Sequence, residues 1–350
     1  YKNIEKFYKN FIHKKTLREN LGFVYTLRRI NSSFFHIFRW KGVKMNKKTI
    51  GIPRAFLYYR YKILWKNYFS NLGYKIVVSG PTTKETVVEG KKYSIDEACL
   101  PFKIFMGHVS NLKEKCDYIL IPRVENYGKD EKVCVRFNAT YDIVKNIFKD
   151  INIINYNIEY TKMSTETISL LKLGLKLNHN PFIVISSYIK AKKAEKEYNK
   201  LKMINQSKVL TKRGPKVLIV SHPYSIYDNY LGYSIIKLLK NYKINILYAD
   251  KLSKKESLKH YKKLSKTLYW TYSKELIGAI DYYKDNIDGI IFLTAFPCGP
   301  DSLVNELMIR KLKKIPTLNI ILDELTSETG LETRVESFID ILRERRDNNS

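Results

Sequence analysis

Cysteine is scarce in this chain: there are four among 350 residues, with no Cys-x-x-Cys pair. That excludes a disulfide-stapled secreted scaffold. No apolar run approaches the roughly 18 residues that cross a bilayer, and no secretory leader pattern is found. A cytoplasmic, reducing compartment and no membrane partner are therefore expected. The phosphate-cradling pattern Gly-x-x-x-x-Gly-Lys is absent too, so any ATP-driven step would fall to another protein. Acidic residues are few, 34 against 63 Lys and Arg, which leaves a net charge of +29.

A charge of that size points towards nucleic acid, since a basic face is the footprint of phosphate binding. The residue types weaken that reading. Lysines number 49 and arginines 14, and base readers favour the planar fork of Arg over the point charge of Lys. Lys, Asn, Ile and Tyr are all abundant, as an AT-rich coding sequence would make them. Nucleic acid is thus an unlikely partner, and solvated lysine faces are the plainer account.

What the chain does contain is enough apolar sequence, 44%, to bury a core in each of about two domains. Residues 1–44 carry 11 Lys or Arg and two acids, and their apolar residues keep no sustained period. They read as a basic extension outside the fold, with a membrane or nucleic-acid arm as the functional alternative. From Met45 onwards short apolar strands alternate with helical periods, the pattern of parallel sheets. The expected fold is α/β, with two Rossmann-like or flavodoxin-like parallel-sheet domains, 45–155 and 213–346. A helical connector at 156–212 would join them.

Three of the four cysteines stand beyond a strand or at a helix start. Cys99 precedes Leu100-Pro101, Cys298 lies in Pro297-Cys298-Gly299-Pro300-Asp301, and Cys134 sits in the loop before a helix expected near Asn138. Helix N-termini favour anions and lower thiol pKa values, so all three are placed where a thiolate would be stabilised. Cys116 reads as an ordinary small residue. Zinc asks for paired short spacings, which are missing, whereas an iron–sulfur cluster takes thiolates from distant loops. From spacing alone, three unrelated buried thiols remain the simpler reading. A Cys–His nucleophile using His108 or His222 has no third residue to support it.

Several motifs resemble a known family. Gly51-Ile52-Pro53-Arg54-Ala55, Asp96-Glu97-Ala98-Cys99-Leu100-Pro101-Phe102-Lys103, Ile121-Pro122-Arg123, Ser221-His222-Pro223-Tyr224, Pro297-Cys298-Gly299-Pro300, Leu322-Asp323-Glu324 and Gly330-Leu331-Glu332-Thr333-Arg334 occur in order. They are similar to the 2-hydroxyglutaryl-CoA dehydratase/activase-related family, within the 2-hydroxyacyl-CoA dehydratase and benzoyl-CoA reductase group. The resemblance implies a [4Fe-4S] cluster on Cys99, Cys134 and Cys298 in an oxygen-sensitive, anaerobic protein. Where the family often has proline after the middle cysteine, Val135 stands here. The resemblance further implies an ATP-dependent activase as electron donor and an acyl-CoA as substrate, with a reductive or radical dehydration as the reaction. The alternatives are an accessory electron-transfer subunit, and a basic RNA-associated protein. Whether the chain is itself an enzyme is left open, as is a homo- or heterodimer.

Among other residues, His222, Glu97 and Asp323 are the candidates for acid–base work, each near a strand end or beside Cys99. His108 reads as a helical histidine satisfied within the fold. Arg334 and Glu336 are expected to be structural, as a cross-domain pair. The run Phe56, Tyr58, Tyr59, Tyr61, Trp65, Tyr68 and Phe69 has partly helical spacing and is expected to pack in the core.

Overall fold

The computed structural model describes residues 48–324 and 328–348; the basic extension expected at 1–44 lies outside them. The first half runs β1 (Thr49–Ile52), α1 (Tyr58–Asn71), β2 (Lys75–Val78), α2 (Lys84–Lys91), α3 (Leu100–Ser110), β3 (Tyr118–Leu120), β4 (Arg123–Asn126), α4 (Val135–Ile147), β5 (Ile153–Ile154) and β6 (Asn157–Glu159). Two helices follow, α5 (Glu166–Leu177) and the long α6 (Pro181–Leu210). The second half is β7 (Lys216–Val220), α7 (Pro223–Ile226), α8 (Tyr233–Asn241), β8 (Asn245–Tyr248), α9 (Lys254–Leu264), α10 (Thr271–Tyr283), β9 (Gly289–Ala295), α11 (Gly299–Lys311), β10 (Thr317–Leu322) and α12 (Glu328–Asp347).

The two main sheets are four-stranded, in the orders β2-β1-β3-β5 and β10-β9-β7-β8. Every pairing in them is parallel. Numbered within its own half, each sheet has the order 2-1-3-4, which is how a flavodoxin-like sheet begins. The chain therefore reverses direction across each sheet at one crevice, between β1 and β3 in the first and between β7 and β9 in the second. Ligands of such sheets bind beyond the strands' carboxyl ends at that crevice. The α/β class with two parallel sheets is as the sequence leads one to expect. The small pair β4-β6 is an addition to the expected two sheets, its strands short and weakly apolar.

Local chemistry accounts for the elements that hold the site. Gly73, at φ 95°, ends α1 in the left-handed conformation that glycine adopts without strain. Helix α3, LPFKIFMGHVS, is buried along its whole length, as a helix that is mostly apolar all round must be. It crosses α2 closely because two glycines leave room. A Cβ on Gly107 would stand 2.0 Å from the Thr86 carbonyl oxygen, and one on Gly90 1.8 Å from that of Lys103. The aromatic run on and before α1 is core as expected, with Tyr68 and Phe69 fully buried. One apolar cluster includes Ile50 and Ile119 of the first sheet as well as Val217 and Ile291 of the second. A smaller one, around Leu218, Ile280 and Phe292, covers the other face of the second sheet.

Arg334 and Glu336 are structural but do not pair with each other. Arg334 donates to the Asn319 carbonyl of β10, and the Tyr242 hydroxyl donates to Glu336. Both sit on α12, two residues apart, so they point to different neighbours.

Candidate functional site

Three helices begin at cysteines, and the three begin at one cleft. Cys99 is the N-cap of α3, Cys134 of α4 and Cys298 of α11. The loop arms are tied together by backbone bonds. The Leu100 amide donates to the Phe296 carbonyl, joining the Cys99 and Cys298 loops at 2.9 Å. The Thr271 amide donates to the Lys132 carbonyl, fixing the Cys134 loop against the start of α10. All three thiols line a cleft of about 450 Å³, its open mouth included, with His222, Tyr224 and Asp301.

The expectation that Cys134 sits in a loop well before its helix is corrected. Helix α4 starts at Val135, so Cys134 caps it as the other two cap theirs. The β-branched Val135 and the absence of a polar cap residue hide this start in the sequence.

The thiols themselves run against a second expectation. Burial pushes all three above the ordinary cysteine range, although helix N-termini were expected to lower them. No sulfur makes a full cap hydrogen bond. The Phe102 amide and the Arg136 charge ease Cys99 downwards, but by less than burial raises it. At Cys298 the Asp301 carboxylate adds to the effect of burial. The three groups feel one another: Cys134 acts on Cys99, Cys99 on Cys298, and all three on the hydroxyl of Tyr224, which burial holds well above its usual value.

His222 caps α7 at the end of β7 and faces the same cleft. Its Nε2 meets Asp301 Oδ1 at 2.9 Å, and its ring stacks on Tyr224 at 5.0 Å. Asp301 accepts that bond, so Nε2 carries the proton and Nδ1 is the basic nitrogen of the neutral ring. Asp301 and Arg136 were not singled out from sequence. Each lies within three residues of a cysteine in the first turn of its helix, and that position was the available signal. The guanidinium of Arg136 lies 5.1 Å from the Phe102 ring centre.

The remaining candidates are not in the cleft. Glu97 is exposed in the turn before Cys99, and Asp323 follows β10, its carboxylate accepting from the Glu324 amide; neither lines the cavity. Glu324 instead pairs with Lys103 at 2.9 Å and with Lys91, joining the end of β10 to α2 and α3. Cys116 is apart, its Sγ donating to the Leu112 carbonyl and filling the space over Gly51. Among the described residues, no three His, Cys, Asp or Glu side chains are gathered closely enough to hold a single metal ion.

Phe56 forms part of the cleft wall at φ 45°, a conformation costly for a bulky side chain. Its ring packs on Phe105, Phe137 and Tyr224 with centres 5.3, 5.1 and 5.5 Å away.

His108 belongs to a separate buried network. The Thr82 hydroxyl donates to Asp228 Oδ2 at 2.5 Å and so accepts from His108 Nε2 at 3.0 Å. Nδ1 is left buried without a partner, which corrects the picture of a fully satisfied histidine. Burial, helped by the charge of Arg54, pushes His108 down to about 4. An unfolded histidine titrates near 6.5, so below that the unfolded chain binds the extra proton. Stability from this group is complete above pH ~6.5 and falls by up to about 1.4 kcal/mol per unit towards pH 4. Urea unfolding at pH 7 and pH 5 should show this loss, and His108→Gln, which keeps a donor for Thr82, should reduce it. An unchanged pH slope in the variant would refute the assignment.

Residues 49–252 match the family model of the CoA enzyme activase uncharacterised domain. That span takes in Cys99, Cys134 and His222 but stops before Cys298. The chain matches no curated protein. No helix among the described residues is long and apolar enough to cross a membrane.

Proposed function

The chain belongs to the CoA enzyme activase uncharacterised-domain family, and from that premise we propose that it is an iron–sulfur protein with a [4Fe-4S] cluster on Cys99, Cys134 and Cys298. The observation that carries this is the opening of three helix-capping thiols onto one cleft. The donor set fits such a group. A cluster takes one thiolate per iron, so its ligands need not crowd around a single ion. Three cysteines also leave one iron corner for a non-protein ligand. When bound, the group would supply low-potential electrons for reduction or radical dehydration of an acyl-CoA.

The chain's own residues have definable tasks. The three sulfurs must lose protons to bind metal, so loading releases protons; the first turns of three helices and the Arg136 guanidinium then face the resulting negative charge. Phe56, Phe137, Tyr224 and Tyr272 keep the cleft apolar and limit water. His222, oriented by Asp301, holds a proton at Nε2 and can accept one at Nδ1 from a group bound in the cleft. Excess lysine draws in an anionic CoA ester. An ATP-dependent activase would deliver the electron.

One observation favours the accessory-subunit reading. Glu97 and Asp323 stand outside the cleft, which leaves His222 and Asp301 as its polar acid–base groups. An electron carrier would need no more.

Anaerobic reconstitution with iron and sulfide tests the cluster: about four of each per chain and a broad visible absorbance are expected. Colourless, iron-free protein would overturn the proposal. Adding acyl-CoA to the reduced, loaded protein separates the two readings, since an enzyme gives turnover and a carrier only re-oxidation by its partner.

A further inference from the structure

Away from the cleft, at the carboxyl end of β8, lies a group of lysines with too little negative charge. Lys251 sits with its Nζ 3.7 Å from the centre of the Tyr248 ring. It is partly buried, and among the described residues it makes no ion pair. Lys202, from α6, approaches Asp250 at 3.7 Å and lies over the Tyr198 ring at 5.6 Å. Lys62 of α1 lies near the same ring at 5.8 Å.

Asp250 is the acid beside them. Its side chain is 7% exposed, and its other oxygen accepts from the Tyr227 hydroxyl at 2.8 Å. Gln206 of α6 clamps this corner, donating to the Tyr248 carbonyl at 2.8 Å and accepting from the Tyr248 amide at 3.0 Å. The lysines are thus presented on a fixed frame.

A cation withdrawn from water needs a counter-charge, and one carboxylate already shared with a tyrosine does not supply it. Burial pushes the Lys251 ammonium down to about 8. Asp250 opposes that shift, while Lys202 and Lys240 add to it. The aromatic rings carry lysines on their faces, so they hold the cations in place and are not free to stack a base.

We propose that Lys251 and Lys202, framed by Tyr248, Tyr198 and Asp250, bind a phosphate group. A dianion balances the local excess of positive charge, and lysine is a compact point-charge ligand for phosphate. The site is independent of the thiols and of the cluster.

Calorimetric titration of the full chain with inorganic phosphate, AMP, adenosine and sodium chloride tests it. Phosphate and AMP should bind, with Lys251→Met and Lys202→Met each weakening them at least about tenfold. Lys193→Met, on an exposed turn of α6, should leave both unchanged. Equal affinities identify free phosphate as sufficient, and tighter AMP identifies a nucleotide as the source of the phosphate. Binding of adenosine as tight as AMP, or phosphate binding unmoved by Lys251→Met, would overturn the proposal, as would no phosphate or AMP binding at millimolar concentration. Because Lys251 makes no ion pair, Lys251→Met should also raise the urea midpoint in phosphate-free buffer. A lowered midpoint would count equally against a site waiting for an anion.

Discussion

Cys298→Ala is expected to lose nearly all the iron that the unaltered chain retains after anaerobic reconstitution and desalting. Removing a partner that merely orients a metal ligand costs about 10–100-fold in affinity, and removing the ligand itself must cost more. Cys99→Ala and Cys134→Ala should behave alike, because each sulfur stands at the same place on its helix. Cys116→Ala should not, since that thiol lies over β1 against Gly51 and outside the cleft. Iron and acid-labile sulfide, measured with circular dichroism as a check of folding, give the result. Iron content that falls equally in all four variants would mean adventitious binding to thiols. Iron retained in Cys134→Ala alone would cut the ligand set to two cysteines and send the search for a third to Asp301 or His222.

The second large effect concerns stability and lies beneath the cleft. Arg60 of α1 makes a two-pronged contact with Glu275 of α10, at 2.9 and 3.0 Å. Its guanidinium also lies 4.7 Å from the Tyr272 ring centre. Burial opposes its charge, but Glu275, with Tyr272 and Tyr127 beside it, outweighs burial and holds Arg60 well above its ordinary value. Glu275→Ala leaves that charge without its partner. A fully buried pair broken in this way costs about 3–5 kcal/mol. Here the Arg60 side chain is 29% exposed, so about 2–3 kcal/mol is expected. The double variant Arg60→Met, Glu275→Leu should recover most of the loss, because no charge is then stranded. Urea unfolding of the two variants beside the unaltered chain decides it, and a double variant less stable than Glu275→Ala would contradict the argument. Tyr272 lines the cleft and its hydroxyl bonds to that of Tyr127 at 2.7 Å. The single variant should therefore hold iron less firmly as well.

Much of this architecture was legible in the sequence, for reasons that also explain the gaps. Strands such as Gly289–Ala295 are buried throughout, and a continuous apolar run between polar breaks announces a central parallel strand. Proline two residues after Cys99 and after Cys298 marks two helix starts. Cys134 had no such mark, and its helix was expected too late. The two acidic candidates lie outside the cleft because proximity along the chain is not proximity in space. Glu97 is two residues from Cys99 and faces solvent, whereas Asp301 reaches His222 across 79 residues. The direction of the thiol pKa shifts was not readable either. A helix start is visible in sequence, but the depth at which the fold buries it is not.

Phe56 carries a consequence for which replacements the chain can tolerate. Its backbone lies where glycine or asparagine is at ease, while its ring fills a place among Phe105, Phe137 and Tyr224 that needs a large flat side chain. No single residue type meets both demands without penalty. Relief of the backbone empties the wall, and a full wall keeps the backbone strained. Change at this position is accordingly blocked from two directions, and sequence drift in the cleft has to proceed through the rings around Phe56 before it can reach Phe56 itself.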